Sequence, residues 1–365
     1  MFVAPPVRRA VLLILLAYWP VGQTWADSGT RTTLALDLGN TRLEGFVLAR
    51  TTSTLELMGR DGRLWSLPND KAKAARQISP KFRSYTVMEV REQLTRELGK
   101  AFEVTGTGHY LVAHPRGGKD AWSPRFEDLY RHFIHYFSVR GFQPREPEFP
   151  LVAIVWPDRQ QFLRYAAQQG DPIDARVLGY YSPKSNRITL YDAGGTAANS
   201  AAWHQNADTI IHEATHQTAF NTGVHRRFAQ TPKWVVEGLG TMFEAPGVWK
   251  SESNRRFQDR INRGRLRDFQ HFAPALAPGA MAEFISSDRM FTSDPIRAYA
   301  VAWSLSFYLV ETQSHRYSDY LLLTSRRPAF SSYSSAARLA DFTSIFGNNF
   351  PLLEKRWLQF MAEIK

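Results

Sequence analysis

Cysteine is absent from all 365 residues. That excludes disulfide bonds, a thiolate metal site and a lipoprotein anchor, so the fold must rest on its apolar core and on whatever metal other side chains can hold. Long apolar runs are also missing beyond the N-terminal region, where no stretch approaches the roughly 20 residues that span a bilayer. No internal repeat or low-complexity tract is present. Acidic residues are in deficit, 34 against 45 Lys and Arg, which leaves a net charge of +11. What the chain does have is a globular composition, 44% hydrophobic and 13% aromatic. Its length suits one large domain or two modest ones.

The first residues read as an address. Arg8 and Arg9 precede the apolar run Ala10 to Tyr18, and Thr24-Trp25-Ala26 places small residues where a signal peptidase cuts. Residues 1–26 are therefore expected to be a signal peptide. The mature chain is expected to be exported to the periplasm, the cell envelope or the medium, with no transmembrane segment. Its remaining basic charge predicts attraction to an anionic cell-envelope surface. Nucleic acid is not an expected partner, because no basic run is interleaved with stacking aromatics. Arg255, Arg256, Arg260, Arg263, Arg265 and Arg267 read instead as a solvated helix face.

Apolar and polar residues alternate from Thr32 to about Leu67, broken by Gly39-Asn40 and Asp61-Gly62. This predicts a small antiparallel β module of SH3-like size. With the basic linker Lys71 to Arg83 it fills residues 27–83, and residues 27–107 could also be a pro-region. Residues 84–365 form the second unit. It is predicted to run through a helix (Met88 to Leu98), a strand (Phe102 to Ala113) and a helix begun by Ser123-Pro124. A buried strand (Pro150 to Trp156), a helix (Asp158 to Gln169) and strands Leu178 to Tyr181 and Arg187 to Asp192 follow. From Ala201 the pattern is largely helical. Leu36-Asp37-Leu38-Gly39-Asn40-Thr41 resembles the phosphate loop of actin-like sugar kinases, but no second nucleotide motif follows and a β-turn explains it.

His212-Glu213-Ala214-Thr215-His216 is an H-E-x-x-H pattern. Residues four apart share one face of a helix, so both imidazoles can reach one ion while Glu213 lies beside them. A chance occurrence is expected about 0.01 times in such a chain. Catalytic zinc takes three protein ligands and keeps one position open. Glu237, in Trp234-Val235-Val236-Glu237-Gly238-Leu239-Gly240, supplies the third. Thr231 and Pro232 would start its helix and Pro246-Gly247 would end it. Gly238 and Gly240 each cost about 1 kcal/mol inside a helix. They predict a close crossing of another backbone, that of the H-E-x-x-H helix.

H-E-x-x-H followed some 20 residues later by W-x-x-E-G resembles the gluzincin zinc metallopeptidases, the thermolysin-like clan, and especially its peptidase-MA-like exported bacterial branch. Gly179-Tyr180-Tyr181, Ser185-Asn186-Arg187 and His212 to Asn221 are further marks of that likeness. The resemblance implies an α+β, mainly helical gluzincin domain with a small mixed sheet. It implies one catalytic Zn2+ on His212, His216 and Glu237, with Glu213 as general base and a peptide or protein substrate. It would also make Arg187 to Asp192 an edge strand along the substrate cleft. In thermolysin a carboxylate one turn after the Glu ligand orients a ligating His; Thr241 stands there, and Glu244 lies a turn further on. Tyr299 is the candidate oxyanion donor, with Tyr180 and His225 behind it. The other histidines (His109, His114, His132, His135, His204, His271, His315) read as surface or helix-face residues, and Trp303 and Phe307 as core. An inactive zinc-containing envelope-binding protein and a hydrolase of non-peptide amides are the other functions this pattern would allow.

Overall fold

A computed structural model describes residues 31–39, 41–117, 120–171, 173–174, 177–192 and 200–365, the side chains of residues 200–206 excepted. The expected signal peptide, Asn40 of the Gly39-Asn40 turn and the His204 side chain lie outside that set. The described chain is α+β.

Alternating residues at the N-terminal end form β1 (Thr33–Leu38), β2 (Thr41–Arg50), β3 (Thr54–Gly59), β4 (Leu64–Pro68) and β5 (Arg76–Ser79). They pair antiparallel in the order β4-β3-β2-β1-β5. The antiparallel module is therefore present. The stretch read as a linker contributes its own strand, β5, because Leu34 and Ala35 of β1 pair with Gln77 and Arg76.

The second sheet contains β6 (Phe102–Gly106), β7 (Tyr110–Pro115), β8 (Leu151–Trp156), β9 (Gly179–Ser182) and β10 (Arg187–Tyr191), in the order β6-β7-β8-β10-β9. One expected strand, Phe102 to Ala113, is a hairpin, since Thr107 N–H returns to Tyr110 O at 2.8 Å. β10 lies inside the sheet, parallel to β8 and antiparallel to β9. The edge strands are β6 and β9, which corrects the expectation for Arg187 to Asp192.

Helices cover the sheet and build the main core. Asp158 caps Arg159–Gln169, and Gly170 closes it in the left-handed region at φ +69°. Asp294 caps Pro295–Ser325, the long helix that carries Tyr299. The motif helix, Ser200–Thr222, is buried at every position from Ile211 to Phe220, as a helix through the centre of a domain must be. Gln217 ties it to the sheet by donating to Val152 O (3.0 Å) and Asn186 O (2.8 Å). Trp303 and Phe307 are fully buried, and their rings stack at 5.3 Å. Among the described residues no helix is long and apolar enough to cross a membrane.

The N-terminal sheet packs on the part of the chain that leads into the site. Leu64 N–H bonds Lys184 O at 2.8 Å in the β9–β10 turn, and Arg227 donates to both Gly62 O and Pro183 O. Phe46, Phe82, Phe149, Phe228 and Phe330 close the seam.

Candidate metal centre

The two imidazoles are brought together by helical spacing alone; their ring centroids lie 4.5 Å apart. Glu237 arrives on a second helix, Lys233–Phe243. That helix starts one residue later than the sequence suggests. Pro232 takes the cap position without a side-chain bond, and Asp288 accepts the Lys233 N–H instead. Glu237 Oε2 is 3.3 Å from His212 Nε2 and 3.6 Å from His216 Nε2. One ligand atom from each of the three residues falls within 4.8 Å of the others, so the group could hold a metal ion. All three residues are at most 1% exposed.

Both glycines of the second helix are explained by neighbours. A Cβ on Gly240 would lie 2.8 Å from His212 Cε1 and 3.0 Å from His216 Cε1, so the backbone there rests against the imidazoles. A Cβ on Gly238 would instead meet Ala302 O, at 2.6 Å, and Ser306 Oγ. The close crossing expected of the motif helix is thus shared, with Gly238 serving the long helix.

Glu213 sits opposite the edge strand. Tyr181 N–H of β9 donates to Glu213 Oε2 at 2.6 Å, while Glu213 Oε1 has no hydrogen-bond partner. Burial pushes the Glu213 carboxyl up to about 8, against the pull of His212 and of the Tyr181 N–H. Burial would lower His212, but its hydrogen bonds with Glu237 and Glu244 outweigh that and hold it up at about 10. Burial would raise Glu237, yet the two imidazoles beside it hold it down at about 2. Burial and the charge on His212 bring His216 to about 4.

Residues 206–331 match the family model described as protein of unknown function, DUF1570. The match runs from within the motif helix past the end of the long helix and so includes every residue of the cluster. Among curated proteins no relative is found. Solved structures with a similar outline include an M1 zinc metallopeptidase from Deinococcus radiodurans, at 15% identity and TM-score 0.36. It covers 70% of this chain and 50% of that one. The same enzyme as a mutant bound to a Tyr-Ser-Ala substrate gives 15% identity and TM-score 0.39, again over 70% and 50%. A two-domain M1 zinc metallopeptidase mutant bound to L-arginine gives 14% and 0.37, over 72% and 52%. The chain spans about half the length of these structures.

Glu244 is the residue that sequence spacing could not place. At the C-cap of the second helix, its Oε1 accepts from His212 Nδ1 at 2.8 Å, and its Oε2 accepts from Asn262 Nδ2 at 2.7 Å. Thr241, where thermolysin's orienting carboxylate would stand, returns its hydroxyl to Glu237 O at 2.7 Å. Of the oxyanion candidates, Tyr299 reaches the cluster: its ring lies 6.4 Å from that of His212, and burial and the charge of Glu237 raise its hydroxyl well above 10. Tyr180 is engaged elsewhere, donating to Asp171 at 3.0 Å. His225 is buried with both ring nitrogens unpaired.

Two surface readings need correction. His114 is 4% exposed and lies 3.0 Å from Thr105 Oγ1 across the β6–β7 hairpin. In the arginine group, Arg260 forms a two-pronged pair with Glu311 (2.9 and 2.7 Å), and Arg265 lies 5.2 Å over the Tyr299 ring. Arg255, Arg256, Arg263 and Arg267 are the solvated ones.

Proposed function

We propose that this chain is an exported zinc-dependent metallopeptidase in which Glu213 is the general base. One observation carries the reading: Glu213 Oε1 is buried without a hydrogen-bond partner, next in the chain to a group of three converging ligand atoms. A buried, unsatisfied carboxylate oxygen costs about 1–3 kcal/mol or more. Retaining it makes sense where it has a proton to take. The donor set fits zinc, because two imidazole nitrogens and one carboxylate leave a position for substrate. His216 Nε2 likewise has no hydrogen-bond partner of its own, as a ligand atom should. A zinc ion bound there would polarise a substrate carbonyl as a Lewis acid.

The remaining chemistry belongs to the chain. In its ionised form, which the charge of a bound zinc would favour, Glu213 keeps one oxygen on the Tyr181 N–H and offers the other to accept a proton from water and deliver it to the leaving amine. Glu244 holds the His212 ring from its far nitrogen. Tyr299 keeps its proton throughout the working pH range and can donate to the oxygen that gains charge. Tyr299→Phe is accordingly expected to lower kcat about 10²–10³-fold with unchanged zinc content. Steady-state cleavage of a fluorogenic peptide reads this, and a kcat close to that of the unaltered chain would remove Tyr299 from the mechanism.

Zinc content of the purified chain tests the site itself. About one zinc per chain is expected, with near-complete loss in His212→Ala and in Glu237→Ala. Metal uptake must displace the proton on His212 Nε2, so the apparent affinity should rise with pH. A chain that takes no zinc when offered it overturns the proposal. Cleavage of denatured casein separates a peptidase from an amidase of narrow scope.

A further inference from the structure

The motif helix ends at Gly223, at φ +87°, and the chain turns back so that His225 N–H donates to Ala219 O at 2.9 Å. Ala219 and Phe220 follow His216 by three and four residues and therefore share its face of the helix. The His225 ring lies 5.3 Å from the Phe220 ring. This return sets the His225 imidazole against Phe220, one helical turn beyond His216 on the same face. The ionisable groups whose charges bear on it are His216 and Glu237.

Three nitrogens in this pocket stand out. His225 is 1% exposed, and neither Nδ1 nor Nε2 makes a hydrogen bond; His216 Nδ1 makes none either. His212 differs, because Glu244 holds its Nδ1. Unpaired buried polar groups are rare and costly, at about 1–3 kcal/mol each. A histidine that binds metal through one nitrogen usually passes the N–H of the other to an acceptor, which fixes the ring. A buried, neutral imidazole has one nitrogen able to accept.

We propose that His225 is the positioning residue for His216: it accepts the Nδ1–H of His216, directly or across one water, when His216 Nε2 binds the metal. The two ligating histidines are then held by different devices, a carboxylate for His212 and a neutral imidazole for His216. This rests on the metallopeptidase reading above.

The test is the zinc dissociation constant of the full chain by chelator competition, for the unaltered protein, His225→Leu and His225→Gln, with thermal unfolding of each zinc-free form. His225→Leu is expected to bind zinc about 10–100-fold more weakly. Its zinc-free form should unfold at the same temperature or higher, since an unpaired buried polar group has gone. His225→Gln restores an acceptor and should recover part of the affinity. The proposal is overturned if His225→Leu binds zinc as tightly as the unaltered chain. It is equally overturned if both variants lose the same affinity and both melt earlier when zinc-free, which would make His225 a packing residue. Failure of the unaltered protein to bind zinc would overturn the underlying reading instead, and is recognisable because no substitution is needed to see it.

Discussion

Glu213→Gln is expected to lower peptide hydrolysis about 10²–10⁴-fold while zinc stays bound. Gln keeps the shape of the side chain and can still accept the Tyr181 N–H, but it cannot take a proton from water. The same substitution should stabilise the metal-free chain at alkaline pH. Burial lifts the Glu213 carboxyl from an ordinary 4.5 to about 8, so the folded chain keeps a proton that the unfolded chain has already released. The stability that this proton provides is complete below pH 4.5 and disappears as pH rises through about 8. Gln has no such loss. Thermal unfolding of the two metal-free proteins should therefore diverge between pH 6 and pH 8, with the variant the more stable at pH 8. A chain stabilised by losing a residue that its activity needs is what a functional site held under strain produces. Were the variant to lose zinc and stability together with activity, Glu213 would be structural.

The second large effect is expected at Gly240. Alanine in a helix interior normally gains about 1 kcal/mol over glycine. Here a methyl group would stand 2.8 Å from His212 Cε1 and 3.0 Å from His216 Cε1, closer than ordinary van der Waals contact allows. Both rings would have to move, and overpacking of this kind costs about 1–3 kcal/mol. Where the metal-bound state bears that cost, Gly240→Ala should weaken zinc binding by roughly tenfold or more. Gly238→Ala provides the comparison. Its methyl group would meet backbone, Ala302 O at 2.6 Å, and should push the second helix off the long helix. That variant should lower the unfolding temperature with a smaller effect on zinc. Equal losses of affinity in the two would mean that helix displacement, not contact with the imidazoles, sets the metal's grip.

The readable and unreadable parts of the site differ in the range of the interaction involved. His212, Glu213 and His216 lie within five residues of one helix, so helical geometry fixes their relation before any tertiary contact forms. Helix ends that carry their own signal were also legible, as at Asp158, whose side chain caps Arg159–Gln169. Helix Lys233–Phe243 was placed one residue early because Asp288, 55 residues away, accepts the Lys233 N–H in place of a local cap. Glu244 escaped for a similar reason. Its distance from His212 depends on where two helices cross and on Asn262, which holds its other oxygen. The edge of the sheet was misassigned because it was carried over from the family likeness, and no local run of residues tests it. Only the parallel pairing of β10 with β8 turns β10 inward.

By itself, the sequence determined most of the elements and which residues converge in the cluster. Apolar periodicity and local capping settle most strands and helices, and the H-E-x-x-H and W-x-x-E-G spacings single out His212, His216 and Glu237 as one cluster. Tertiary structure alone decided what surrounds that cluster. It put Tyr181 N–H on Glu213, Glu244 on His212, the Tyr299 ring beside that of His212 and the His225 ring against Phe220. These contacts join segments from different parts of the chain, or, for His225, depend on a turn after the helix. Their distances follow from helix crossings, strand order and chain reversal, which are set by packing of the whole core and not by any local run of residues.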